Sequence, residues 1–135
     1  MSKLVNTKLS ITLVQRVKEL LEIKGWWKGV DGETRQVIDV DGKPTTIFEN
    51  IKTISAYTLS GALNAAGIEA LKTYSQDEVN LAHEIAIIFI EAAIAKHCDD
   101  VHFPIMTFNK HASTNGKKVL TVLKTALEAM KDQLK

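Results

Sequence analysis

A chain of 135 residues, 45% hydrophobic and 24% charged, has the composition of one ordinary globular domain. It is long enough to bury a core without a disulfide or a structural metal. Its net charge of +1 supplies no overall field for nucleic acid or a membrane surface, and its one cysteine, Cys98, excludes an internal disulfide framework.

The N-terminal stretch MSKLVNTKLS lacks the apolar core of a signal peptide. No apolar run reaches the ~20 residues of a membrane span without carboxylates inside it. The expectation is a soluble cytoplasmic protein with one domain over residues 1–135. In chain order, Leu13, Val14, Val17, Leu20 and Leu21 share one helical face. Thr12 and Gln15 have capping-box spacing, and Gly25 suits a left-handed end, which predicts a first helix over Thr12–Lys24. Both tryptophans, Trp26 and Trp27, then sit between Gly25 and Gly29.

Asp31-Gly32 reads as a turn. A β-hairpin is predicted over 35–48, with Arg35–Val40 and Lys43–Phe48 flanking Asp41-Gly42 as a two-residue type I′ turn. Pro44 lacks a backbone donor, so its strand belongs at an edge. A second helix is expected over Thr53–Ala66, closed by Gly67, with Ile68–Thr73 as a connector. Gly61 inside it costs about 1 kcal/mol relative to alanine, and close approach of another backbone is the simplest compensation.

The helix over Gln76–Cys98 is the best signed. Ser75 and Glu78 form a capping box, and Tyr74 and Val79 have the spacing of a hydrophobic staple. From Leu81 to Ala95 only His83, Glu84 and Glu91 interrupt the apolar residues, so this helix is expected to be buried on most sides. Val101–Phe108 reads as a short strand or extended cover, and Asn109–Gly116 as a loop. Ser113 or Thr114 is the expected cap of a last helix whose apolar face carries Val119, Leu120, Leu123, Ala126, Leu127, Met130 and Leu134. The fold class is α+β and predominantly α: four main helices around a central helix, 76–98, with the hairpin inserted between the first two.

No catalytic motif stands. His83-Glu84 begins like a zinc-protease helix, but Ile87 occupies the position of the second histidine. His97, Cys98, Asp99, Asp100 and His102 are metal-ligand types, yet their contiguity reads as a polar helix end. No metal or cofactor is expected. Asp77, Asn80, Glu84 and Glu91 form a stripe that reads as the solvated side of the central helix. Trp26 and Trp27 either seal the core or stack on a partner. Asn109, Lys110, His111 and Lys117, with Ser113, Thr114 and Gly116, make a loop suited to an anion at a helix N-terminus. The alternative is a loop whose own backbone Asn109 ties down.

Gly25–Gly29, Thr58–Leu63 and Phe108–Ala126 resemble the motifs G-W-x-x-G, C-x-x-G-A-L and W/F-N-D followed by T-x-x-x-V-x-x-x-L-x-x-A. Those motifs, in that order, mark a family of small bacterial and phage proteins of unknown function. Thr58 stands where the pattern has cysteine, and Lys110 where it has aspartate. The resemblance implies a fold and a phage or mobile-element setting, and no activity.

The expected function is binding without catalysis. A host or phage protein, or a small ligand, would be engaged through Trp26 and Trp27 in loop 25–29 and through Asn109, Lys110, His111 and Lys117 in loop 109–117. Nucleic acid would need a local basic patch. One alternative is a small hydrolase or nucleotide-modifying protein using Glu84, Asn109 and His111. Another is homo-oligomerisation through the apolar central helix.

Overall fold

The computed structural model describes residues 3–29, 36–47, 53–111 and 114–133, with side chains from residue 6 onward. The Asp31-Gly32 turn, the hairpin ends at Arg35 and Phe48, Ser113 and Leu134 lie outside the described residues. Among the described residues, five helices and a three-stranded antiparallel sheet make an α+β fold that is mainly helical.

Helix α1 runs Lys3–Ile23, beginning well before the predicted start at Thr12. The inward face extends backwards: Leu9, one turn before Leu13, is buried, as are Asn6 and Ser10. Thr12 does not cap. Its hydroxyl donates to the Lys8 carbonyl at 3.2 Å, and Ser10 likewise donates to Thr7 at 2.7 Å, so both hydroxyls turn back onto the helix. The end is as expected: Gly25 has φ +111° and its N–H donates to Leu21.

Strands β1 (Val37–Asp39) and β2 (Pro44–Thr45) form the hairpin, and β3 (Ile54–Tyr57) pairs with the other side of β1. Pro44 is on the edge strand, as its missing donor requires. The turn differs from the two-residue expectation. Gly42 donates to Asp39 O, Asp39 N donates to Lys43 O, and Gly42 has φ +78°. This is a three-residue connection with a left-handed glycine. Asp39 selects it by accepting from Asp41 N and Lys43 N with Oδ1 at 2.9 and 3.0 Å.

Residues 54–57 belong to β3 and not to the predicted second helix. That helix, α2, spans Leu59–Ala70, and its N-cap is Thr58, whose Oγ1 accepts from Gly61 N at 3.1 Å. Gly67 does not end α2; it is buried within it. Gly61 behaves as expected: a Cβ there would lie 2.2 Å from the Gln36 carbonyl oxygen, so only glycine lets β1's leading backbone approach.

Helix α3 (Gln76–His97) carries the predicted capping box, with Glu78 N donating to Ser75 Oγ at 3.2 Å and Ser75 N to Glu78 Oε1 at 3.1 Å. It ends where Asp99 (φ +53°) and Asp100 (φ +65°) turn left-handed and Asp100 N reaches back to Ala95 O, a Schellman-type bond. Val101–Phe108 is not a strand. Pro104 stands at the N-cap position of a short helix, α4 (Ile105–Lys110), whose first N–H is accepted by Glu91 Oε2 of α3 at 3.1 Å. Glu91 thus leaves the solvated stripe. Helix α5 (Gly116–Asp132) is capped by Asn115, which accepts from Lys118 N at 2.8 Å; Thr114 does not cap it.

The core has two organising helices. α1 packs against α2, α3, α5 and β3, while α3 packs against α1, α2, α4 and α5. Val79, Ala82, Ala86, Ile90, Ala93 and Ile94 bury one side of α3. Its outer strip stays open, with Ile88 65% and Leu81 42% exposed. The apolar run alone cannot distinguish enclosure on all sides from burial on one side with apolar residues left facing out. Phe108, fully buried, joins α4 to the common core.

Candidate functional site

The loop after α1 is stitched to the end of β3. Tyr57 N donates to Gly25 O at 3.0 Å and Trp27 N to Tyr57 O at 2.7 Å, a parallel bridge that leads the chain past the start of α2. Burial raises the Tyr57 hydroxyl above its ordinary value, so it stays neutral.

Asn109 closes this loop onto the C-terminal third of the chain. Its Oδ1 accepts from Trp26 Nε1 at 2.6 Å and from Leu59 N at 2.9 Å. Its Nδ2 donates to Trp27 O at 3.1 Å and Lys28 O at 2.8 Å. A carboxamide offers two donors and two acceptor positions, and all are used. At 2% exposure, Asn109 is a clamp inside the protein. It has nothing left to offer a ligand, nor a substrate in the hydrolase alternative.

The other predicted residues gather around the clamp to different degrees. Trp26 is half-buried against the core, and its ring packs where a Cβ on Gly116, the first residue of α5, would lie 3.8 Å away. Trp27 is half-buried. Lys28 Nζ donates to Thr114 O at 3.1 Å, which ties loop 25–29 to the approach to α5. Lys110 runs its stem past Gly29 (φ +90°) and the Thr58 methyl, so the two positions that depart from the motif pattern meet across one glycine. His111 is exposed, its ring 4.9 Å from that of Phe103 and tilted by 52°. Lys117 is exposed on the first turn of α5. Glu84 is exposed on α3.

From Val101 to Leu127 there is no aspartate or glutamate, while Lys110, Lys117, Lys118 and Lys124 fall inside that run. That stretch of sequence is therefore locally basic although the whole chain is nearly neutral. The His97–His102 cluster disperses: His97 Nε2 shares a 2.7 Å hydrogen bond with Thr125 Oγ1, and Cys98 packs on the core. Among the described residues no group of three or more His, Cys, Asp or Glu is placed to hold a metal ion. No helix among them is long and apolar enough to cross a membrane.

A family model covers residues 6–129, from the second turn of α1 to the last turns of α5, and its description is a family of unknown function, DUF6197. The chain belongs to that family. No curated protein and no solved structure matches it. The DUF6197 match takes in the three described strands, α2, α3 and α4 whole and most of α1 and α5, so the Asn109 clamp and every residue it holds lie within the shared domain.

A cleft of about 560 Å³ opens between the hairpin, α2 and the first half of α3, and none of the predicted binding residues lines it.

Proposed function

We propose that this chain is a small non-catalytic binding protein that engages an acidic protein partner across the surface of residues 25–29 and 109–117. The saturated Asn109 clamp carries the reading. It bonds side chain and backbone across separations of 81 to 83 residues, so loop 25–29 is held against the last turn of α4, to which Asn109 and Lys110 belong rather than to the expected loop. A surface already ordered loses little conformational entropy on binding. Half-buried Trp27 supplies an aromatic anchor. Lys117, exposed on the first turn of α5, supplies positive charge, and the sequence from Val101 to Leu127 carries lysines and no carboxylate, which favours and steers an acidic partner. The phage or mobile-element setting implied by the motif order is part of this proposal.

The test uses the full chain immobilised against host lysate, in parallel with a triple variant, Trp27→Ala, Lys110→Glu and Lys117→Glu. None of these side chains belongs to the clamp, so the variant keeps its circular dichroism. A specific partner is retained by the native chain, is eluted by raised salt, and is retained at least about tenfold less by the variant. Undiminished retention by the variant overturns the proposal.

A further inference from the structure

The cleft between the hairpin, α2 and α3 is lined by Gln36, Asn64, Gln76, Asn80 and His83, with Ile68, Leu71 and Val79 as apolar surface. Its volume of about 560 Å³ falls in the range of small-molecule sites, roughly 300–1,000 Å³. Among the described residues no lysine, arginine, aspartate or glutamate lines it. A charged ligand would give up water there without meeting an opposite charge.

The amides are arranged in two pairs. Asn64 Nδ2 donates to Gln36 Oε1 at 2.6 Å, and Gln76 Nε2 donates to Asn80 Oδ1 at 2.8 Å. Each pair uses one donor and one acceptor between its members. What remains in the first pair is the Asn64 carbonyl and the Gln36 amino group; in the second, the Gln76 carbonyl and the Asn80 amino group. Each pair, in the lining of the cleft, therefore keeps an acceptor and a donor. Burial lowers the His83 pKa from its ordinary value, against a smaller opposing effect of Glu84, so the imidazole is neutral near pH 7 and adds one donor and one acceptor.

We propose that this cleft binds an uncharged, flat heterocycle that presents an N–H beside a C=O or ring nitrogen, in the manner of a nucleobase or lactam. Carboxamides recognise such edges through paired donor and acceptor bonds. Ile68, Leu71 and Val79 cover the apolar faces of the ring. Gly67, also in the lining, keeps side-chain bulk out of the cleft beside Val79: a Cβ there would already lie 3.6 Å from Val79 Cγ1. The site shares no residue with the basic loop surface, and the proposal is independent of that reading.

Titration calorimetry of the full chain tests it with adenine, guanine and uracil, their nucleosides, and the matching monophosphates. The variants are Asn64→Leu and Asn80→Leu, both at exposed positions that leave the core intact. At least one neutral base or nucleoside is expected to give saturable heat, weakened at least about tenfold by each variant at unchanged circular dichroism. The Lys110→Glu, Lys117→Glu pair leaves this binding unchanged, which separates it from partner capture at the loops. No saturable binding of any neutral probe up to about 10 mM overturns the proposal. So does equal binding by the two leucine variants, or tighter binding of the monophosphates.

Discussion

Asn109 and the amides of the cleft are the same kind of chemical group in opposite conditions. Asn109 is 2% exposed, with two bonds accepted and two donated. Asn64 and Asn80 stand at the mouth of a cleft, each joined to a glutamine by one bond. A carboxamide whose capacity is used up inside the protein contributes to stability, because removing it strands its former partners. A carboxamide half used at a cleft contributes little to stability and keeps its remaining groups for a ligand. Thr114 shows the third condition: it is 3% exposed, and its hydroxyl has no partner among the described residues.

Substitution separates these conditions. The largest effect belongs to Asn109→Ala, which strands the Trp26 and Leu59 N–H groups and the Trp27 and Lys28 carbonyls. A loss of about 3 kcal/mol or more is expected in urea denaturation, together with a change in tryptophan fluorescence as the loop detaches. A loss under about 1 kcal/mol would mean that water replaces the amide and that the loops are not held by it. Thr114→Val goes the other way: it removes a buried hydroxyl that no partner satisfies, at nearly constant shape, and a gain of about 1 kcal/mol is expected. Destabilisation there would reveal a partner for the hydroxyl in solution.

The acid response of His83 is a smaller effect. Its folded-state pKa is lowered, so the unfolded chain takes up the proton more readily. Its contribution is therefore present at higher pH. It is lost as pH falls through the ordinary imidazole value near 6.5, and levels off below the folded-state value. His83→Gln should flatten that part of the urea-midpoint profile between about pH 7.5 and 5. An unaltered profile would mean that the ring is solvated and the cleft wetter than its lining implies. Smallest of all, Asn64→Leu and Asn80→Leu should change stability by no more than about 0.5 kcal/mol. A larger loss would make the amide pairs structural, like Asn109.

Much of the fold was legible where a signal and its consequence lie within a few residues. The Ser75–Glu78 box, the left-handed Gly25, the edge position of Pro44 and the single apolar face of α5 are all of this kind. Gly61 was legible as a demand for close approach, though not which backbone would meet it. The errors arose where local signals compete. Ile54, Leu59 and Leu63 keep a helical spacing, yet residues 54–57 pair with β1 because a strand was available to complete the sheet. The apolar Val101–Phe108 stretch suggests a strand or extended cover, yet its second half is a short helix that Pro104 starts. The α3 apolar run implied enclosure, and Ile88 faces outward.

The site was legible in part. Trp26, Trp27, Asn109 and Lys110 were named from residue type, and they meet in space. The role of Asn109 was not readable, because its partners lie 50 to 83 residues away. The cleft drew no notice because its amides are scattered over three elements and form no motif.

By itself, the sequence determined which segments coil, where helices begin and end, and which side of α5 is apolar. Capping bonds and side-chain periodicity act over one or two turns, and their free energies are set by neighbours in the chain. Only the tertiary structure decided that Asn109 is a clamp, that residues 54–57 are a strand, and that four amides and an imidazole share one cleft. Those outcomes depend on which distant donors and acceptors burial brings within hydrogen-bonding distance, and no local pattern encodes that.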